Sequence, residues 1–165
     1  MWTIVKLESK KINLFKEDLN KKLDSNYKIY KPQLLIQKYI KNKLSNNIVN
    51  LLGNYVFCYH KKFEDVNTIN YLKNLRGLNC FLGGFVNSQK EITNFIDKCK
   101  RLEDRNGFIS SNLYEINMNS YYRFSSGPFA DKIFKIINLQ RNKINILMGN
   151  IKTTINRKEF LFSPV

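Results

Sequence analysis

The residues that most often carry chemistry are few in this chain and lie far apart. His60 is the single histidine, and Cys58, Cys80 and Cys99 show no Cys-x-x-Cys spacing. Metal sites and nucleophilic catalysis both need such groups clustered together or paired with a base. We therefore expect no metal, no cofactor and no catalytic residue, and we predict that the three cysteines are buried free thiols of a cytoplasmic protein that is not an enzyme.

The chemistry that the chain offers in quantity is positive charge. It carries 28 Lys and Arg against 13 Asp and Glu, a formal net charge of +15. Lys and Arg neutralise phosphates and release their counterions, so a polyanionic partner is a natural expectation. Lys, Asn and Ile are abundant throughout, as an AT-rich genome would produce. Charge alone therefore does not establish nucleic-acid binding.

The first part of the chain alternates between strand and helix patterns. Trp2 to Leu7 alternates as a strand does, and the apolar residues from Ile12 to Leu23 recur at helical spacing. Residues 41–47 are polar and basic and predict a hairpin loop. Because the start has a strand pattern and no apolar run of about 20 residues is present, we expect neither a signal peptide nor a membrane segment.

An aromatic strand and two further helices follow. The alternation of Tyr55 to Tyr59 puts Tyr55 and Phe57 on one face of the sheet. A second helix should stop at Arg76-Gly77, where the glycine favours a helix end. A capping box at Ser88 to Glu91 opens the third helix.

The last part of the chain contains only strand and turn patterns. Ser126 to Asp131 is a tight Gly-Pro turn, and the two apolar runs behind it end at a Gly149-Asn150 hairpin. This pattern predicts a very small β-barrel. We predict an α+β protein: a mixed α/β sheet domain at residues 1–102, a linker at 103–118 and the barrel at 119–165.

These motifs, in this order, resemble the NusG family of transcription elongation factors. Trp2, Leu51 to Cys58 and Arg76 to Gly84 match the motifs of its NGN domain, and Gly127 to Ala130 retains the Gly-Pro-Phe-Ala of its KOW domain. Gly53-Asn54 and Arg76-Gly77 stand where the housekeeping protein has Pro-Gly. Those departures are similar to the specialised RfaH-like paralogs, and the resemblance implies an NGN-like domain followed by a KOW barrel.

The resemblance also implies a polymerase-binding site. Tyr55 and Phe57 match positions that grip the clamp helices of the RNA polymerase β′ subunit, where aromatic anchors would bind a helical partner. Same-face aromatics can instead simply form the core, and that alternative stays open. The protein is then expected to act as a monomeric factor in the cytoplasm.

A DNA-binding site follows from the same resemblance. Arg76 matches an arginine that touches the non-template DNA strand, and Lys41 aligns with another basic residue near that strand. Lys10, Lys11 and Lys73 join this set on charge alone. For each of them the alternative is an ordinary solvated surface charge.

The implied function is elongation or antitermination, with suppression of pausing. Lys132 and Ile133 occupy the region where housekeeping NusG has a Phe that contacts Rho, so Rho binding is doubtful, while contact with the ribosomal protein NusE stays open. The alternative is a KOW-type RNA-binding or ribosome-associated module. A basic barrel face with exposed aromatics would favour that alternative.

Overall fold

Two compact units make up the chain. The computed structural model describes residues 1–41, 43–109, 116–157 and 159–165, without the side chains of residues 38 and 39. One unit comprises Met1–Pro32 and Asn50–Lys98, and the other comprises Gln33–Val49 and Cys99–Val165. In chain order the elements are β1 (Trp2–Leu7), α1 (Ile12–Lys22), β2 (Lys28–Tyr30), β3 (Gln33–Ile40), β4 (Lys43–Asn50), β5 (Tyr55–Tyr59), a 3-10 helix (Lys61–Glu64), α2 (Val66–Leu72), β6 (Leu78–Phe81), α3 (Gln89–Leu102), β7 (Tyr121–Phe124), β8 (Ile133–Leu139), β9 (Lys143–Met148), β10 (Ile151–Asn156) and β11 (Phe162–Pro164).

The first unit is an antiparallel sheet with helices against both of its faces. Its strand order is β2-β5-β1-β6, and β1 alternates as predicted. Val56 and Cys58 pack with side chains of α1 and α2 on one face, whereas Phe57 packs with Ile92 and Ile96 of α3 on the other. A strand buried on both faces must be apolar at nearly every position, and Tyr55–Tyr59 has that composition.

The turn between α2 and β6 approaches the start of α1 closely. The predicted second helix reaches Arg76-Gly77, but α2 ends at Leu72 and the chain leaves it through successive tight turns. Gly77 has a φ of +77°, and a Cβ there would lie 2.7 Å from the Lys11 carbonyl oxygen. The Glu8 amide donates to the Gly77 carbonyl at 2.8 Å. The turn therefore requires glycine both for its backbone conformation and for its contact with α1.

The second unit contains a hairpin that the sequence did not assign to it. The predicted loop at 41–47 is mostly strand, because β4 begins at Lys43. Gln37 fixes the hairpin to the rest of the unit: its amide donates to the Ser125 carbonyl at 2.8 Å, and its side-chain oxygen accepts from the Gly127 amide at 2.7 Å. Pairing and these bonds override the weak strand propensity of an Asn-rich segment.

The same unit contains a five-stranded antiparallel sheet in the order β10-β9-β8-β7-β11. Its inner face is an aromatic core in which the Phe124 and Phe134 ring centroids lie 4.2 Å apart. The hairpin at Gly149-Asn150 is confirmed, and Phe129 packs against this core. The predicted closed KOW barrel is not confirmed, because the described strands form an open sheet whose edges are β10 and β11.

The predicted ranges 1–102, 103–118 and 119–165 remain a prediction about domains. Part of the predicted linker is ordered, since Ile109 is fully buried and bridges to both Leu34 and Glu103. Residues 110–115 of that linker lie outside the described residues.

Replacing Gly77 with Ala should destabilise the protein more than replacing Gly84 with Ala. Both glycines have a φ of +77°, but a Cβ on Gly84 meets nothing within 4 Å. The shared backbone strain costs about 1–2 kcal/mol, and overpacking against Lys11 should add about 1–3 kcal/mol at Gly77 only. Chemical denaturation of both variants measures the difference, and equal losses would show that the close approach is unimportant.

Candidate functional site

Phe57 lies in the core beneath α3. The residue is 3% exposed, and its ring lies 6.3 Å from that of Tyr30 and 5.7 Å from that of Phe95, measured between centroids. A side chain so deeply buried offers no surface to a partner. This burial favours the alternative that Phe57 forms part of the core. In that position its ring supports the neighbouring rings of Tyr30 and Phe95.

Half-buried apolar side chains pack against the cluster of Phe57, Ile92 and Ile96 and form what we call the aromatic rim. Its members are Trp2, Ile4, Tyr30, Leu52, Phe85 and Phe95. Tyr55 lies two positions before Phe57 on the same strand face and is also half-buried, with the Lys6 ammonium 5.6 Å from its ring centroid. No local sequence pattern indicates the rim as a group. Strand pairing could have indicated it, because Ile4 and Tyr30 are both cross-strand partners of Phe57.

Arg76 is engaged by a carboxylate. Its Nη2 donates to Asp18 Oδ1 at 2.6 Å and its Nε at 3.1 Å, while its backbone amide donates to Asp18 Oδ2 at 3.0 Å. These hydrogen bonds lower the pKa of Asp18 to about 2. A second carboxylate is also close, since Glu17 Oε2 lies 3.6 Å from Arg76 Nη2. This bidentate Arg76–Asp18 ion pair holds the α2–β6 turn against α1. Arg76 therefore has a structural role whatever else it binds.

The close approach of Gly77 to Lys11 brings together three of the predicted DNA-binding residues, Lys10, Lys11 and Arg76. Arg76 precedes Gly77, whose Cα faces the Lys11 backbone, and Lys10 adjoins Lys11. Lys11 forms an ion pair with Glu8, so two of the three cations already have anionic partners. Lys73 is exposed at the end of α2.

Lys10 borders a small cleft. The cleft has a volume of about 180 Å³, and its polar lining includes Glu8, Lys31, Asn50 and Asn54. Ammonium and amide groups are suitable for phosphate oxygens and base edges. Lys41 belongs to the other compact unit, where it lies at the end of β3 with a φ of +49°.

The histidine and two of the three cysteines are buried. His60 is 2% exposed; its Nε2 lies 2.8 Å from Asp24 Oδ1, and its Nδ1 accepts from the Lys62 amide. Burial raises the pKa of Cys58 to about 12. The prediction that all three cysteines are buried is wrong for Cys80, which is exposed on β6. The described residues contain no group of three or more potential metal ligands, and none of the described helices has the length and apolarity to cross a membrane.

Comparison with known proteins gave limited similarity. No protein-family model matches the sequence, and no curated protein matches it significantly. Among solved structures, a complex titled MjSpt4:Spt5 is similar over 100% of this chain and 98% of its own, at 13% identity and a TM-score of 0.34. A structure of NusG from Thermotoga maritima is similar over 94% of this chain and 91% of its own, at 14% identity and a TM-score of 0.32. At TM-scores this low the likeness supports no conclusion about function.

Replacing Asp18 with Asn should remove an acid-sensitive part of the stability. The folded-state pKa of Asp18 is about 2, below its ordinary value, so its ion pair stabilises the fold above about pH 4 and is lost as the pH falls toward that folded-state value. The wild type should therefore melt above the D18N variant at pH 6, and the two melting temperatures should converge near pH 2. If the difference between the two melting temperatures is the same at pH 6 and near pH 2, the Asp18–Arg76 ion pair is not the source of this stability.

Proposed function

We propose that this chain is a transcription elongation factor that binds RNA polymerase at the β′ clamp helices. The observation behind the proposal is the aromatic rim. Its half-buried side chains pack against the cluster of Phe57, Ile92 and Ile96, and Phe57 lies on the strand whose motif resembles the polymerase-contacting strand of NusG-like proteins. Tyr55 and the rim are the proposed contact residues, with Phe57 as the support beneath them.

The physical argument rests on preorganisation. Rim side chains are already packed on one side against a rigid core, so binding immobilises few new rotamers. A helical partner that covers their exposed edges would desolvate aromatic surface, which is how interface hot spots gain most of their free energy.

The non-template DNA strand is the second proposed partner. Lys10 and Lys73 have no ion pair among the described residues, so their charges are available to phosphates. Arg76 can join them only by exchanging Asp18 for a phosphate, and Lys11 only by leaving Glu8. Lys41, in the other unit, is a separate candidate for the same strand.

The proposed output is suppression of pausing and termination. A factor that binds the closed clamp more tightly than the open clamp shifts the population toward the closed state, and no reaction on the nucleic acid is required. The residues Lys132 and Ile133 replace the aromatic expected for Rho contact, which favours readthrough.

Replacing Tyr55 with Ala should weaken binding to a β′ clamp-helix fragment by about 2 kcal/mol, roughly 30-fold, because an aromatic anchor is lost. Tyr71→Ala is the matched control, since Tyr71 is 59% exposed on α2 of the same unit. Calorimetric titration measures the affinities, and thermal melting confirms that both variants fold.

Phe57→Ala serves as the contrasting variant. It should cost about 3–5 kcal/mol of stability because it leaves a cavity in the core. If the folded Tyr55→Ala variant binds the fragment as tightly as the Tyr71→Ala control does, Tyr55 is not a polymerase contact and the proposed binding surface is wrong.

Single-round transcription tests the output. Adding the protein should shorten pauses and increase readthrough of a Rho-dependent terminator, and Tyr55→Ala should reduce both effects while Tyr71→Ala does not. The reason is that clamp closure opposes the open states that pausing requires. Increased termination, or unchanged pause lifetimes on every template including the leader of its own operon, would overturn the antitermination proposal.

A further inference from the structure

Arg76 directs its hydrogen-bond donors at an internal carboxylate. Three of its N–H groups, the backbone amide, Nε and Nη2, converge on the Asp18 side chain at 3.0, 3.1 and 2.6 Å. Arginine donors in a planar fork match the oxygens of a phosphate as well as those of a carboxylate. The Asp18 carboxylate therefore occupies a set of donors that suits a phosphate.

The ion pair is open to solvent on its Arg76 side. The Arg76 side chain is 54% exposed, whereas the Asp18 side chain is 15% exposed. A ligand can therefore reach the guanidinium without a rearrangement of the fold. Because water already solvates one side of the guanidinium, the exchange of one anion for another does not leave a buried charge without a partner.

The turn between α2 and β6 has other attachments besides this ion pair. The Glu8 amide donates to the Gly77 carbonyl at 2.8 Å. Leu75 and Leu78, on either side of the turn, are 3% and 8% exposed and belong to the core between the sheet, α1 and α2. None of these contacts uses the Arg76 side chain, which can therefore change its partner while the turn stays in place.

Acidic residues are scarce in this chain, yet two of them lie close to Arg76. The chain has 28 Lys and Arg against 13 Asp and Glu, and Glu17 lies beside Arg76 in addition to Asp18. The hydrogen bonds from Arg76 lower the pKa of Asp18 to about 2, so this carboxylate stays ionised at neutral pH. A competing anion, and not a change of pH near neutrality, is therefore needed to displace it.

We propose that Asp18 is an internal competitor that limits phosphate binding at Arg76. A phosphate reaches the Arg76 donors by displacing the carboxylate, which lowers its net affinity. A strand already held nearby, as by Lys10, presents its next phosphate at a high effective concentration and overcomes this competition better than a free phosphate does. The inference rests on the proposed contact between Arg76 and the non-template DNA strand and adds a regulation of that contact.

The test measures binding of the full chain to a fluorescent single-stranded DNA 12-mer by anisotropy, at several salt concentrations. Asp18→Asn should bind at least about 5-fold more tightly than the wild type, the lower end of typical coupling between two interactions. Its slope of log K against log salt should be steeper by about 0.7, the value for one added phosphate contact on a single strand. Arg76→Ala/Asp18→Asn should lose this gain, because the freed donors belong to Arg76.

Glu91→Gln is the matched control, since it removes the same charge from an exposed position of α3, which packs on the opposite face of the sheet from α1. If Asp18→Asn gains no more affinity than this control, Asp18 is not a competitor; weaker binding by Arg76→Ala would then show that the DNA contact itself stands. If Arg76→Ala/Asp18→Asn binds as tightly as Asp18→Asn, the proposed DNA contact of Arg76 is wrong, and the inference with it. Melting curves fix an assay temperature at which every variant is folded.

Discussion

The burial of β5 on both faces is the constraint on which the first unit depends. Val56 and Cys58 are covered by α1 and α2, and Phe57 is covered by α3. Because both faces of the strand are used for packing, any contact with a partner has to be made at its margin. Tyr55 and the aromatic rim lie at that margin, so the helix that stabilises the sheet also decides which aromatics remain available for binding.

Local sequence patterns predicted most helices and strands of the first unit, but they could not predict which distant residues come into contact. The alternation in β1 and β5 correctly assigned residues to opposite faces, since side-chain direction is a property of the strand itself. Alternation could not show that α3 covers Phe57, because both faces of β5 are apolar. The partner of Arg76 was equally hidden, because Asp18 lies 58 residues earlier in the chain and no local signal links them.

In the second unit, too, features set by neighbouring residues were predicted, whereas features set by distant residues were not. The Gly-Pro turn and the Gly149-Asn150 hairpin were predicted from residues with strong backbone preferences. The hairpin of β3 and β4 was not assigned here, because its attachment rests largely on Gln37, whose bonds reach Ser125 and Gly127.

The unequal environments of the cysteines have a practical consequence for experiments. Cys58 and Cys99 are buried, and the raised pKa of Cys58 keeps its thiol protonated and unreactive. Cys80 is exposed on β6, opposite Lys6 in the strand register. A maleimide dye should therefore attach at Cys80 in the unaltered chain, four residues from Arg76. A single fluorophore at that position would report on ligands approaching the basic turn without any engineered cysteine.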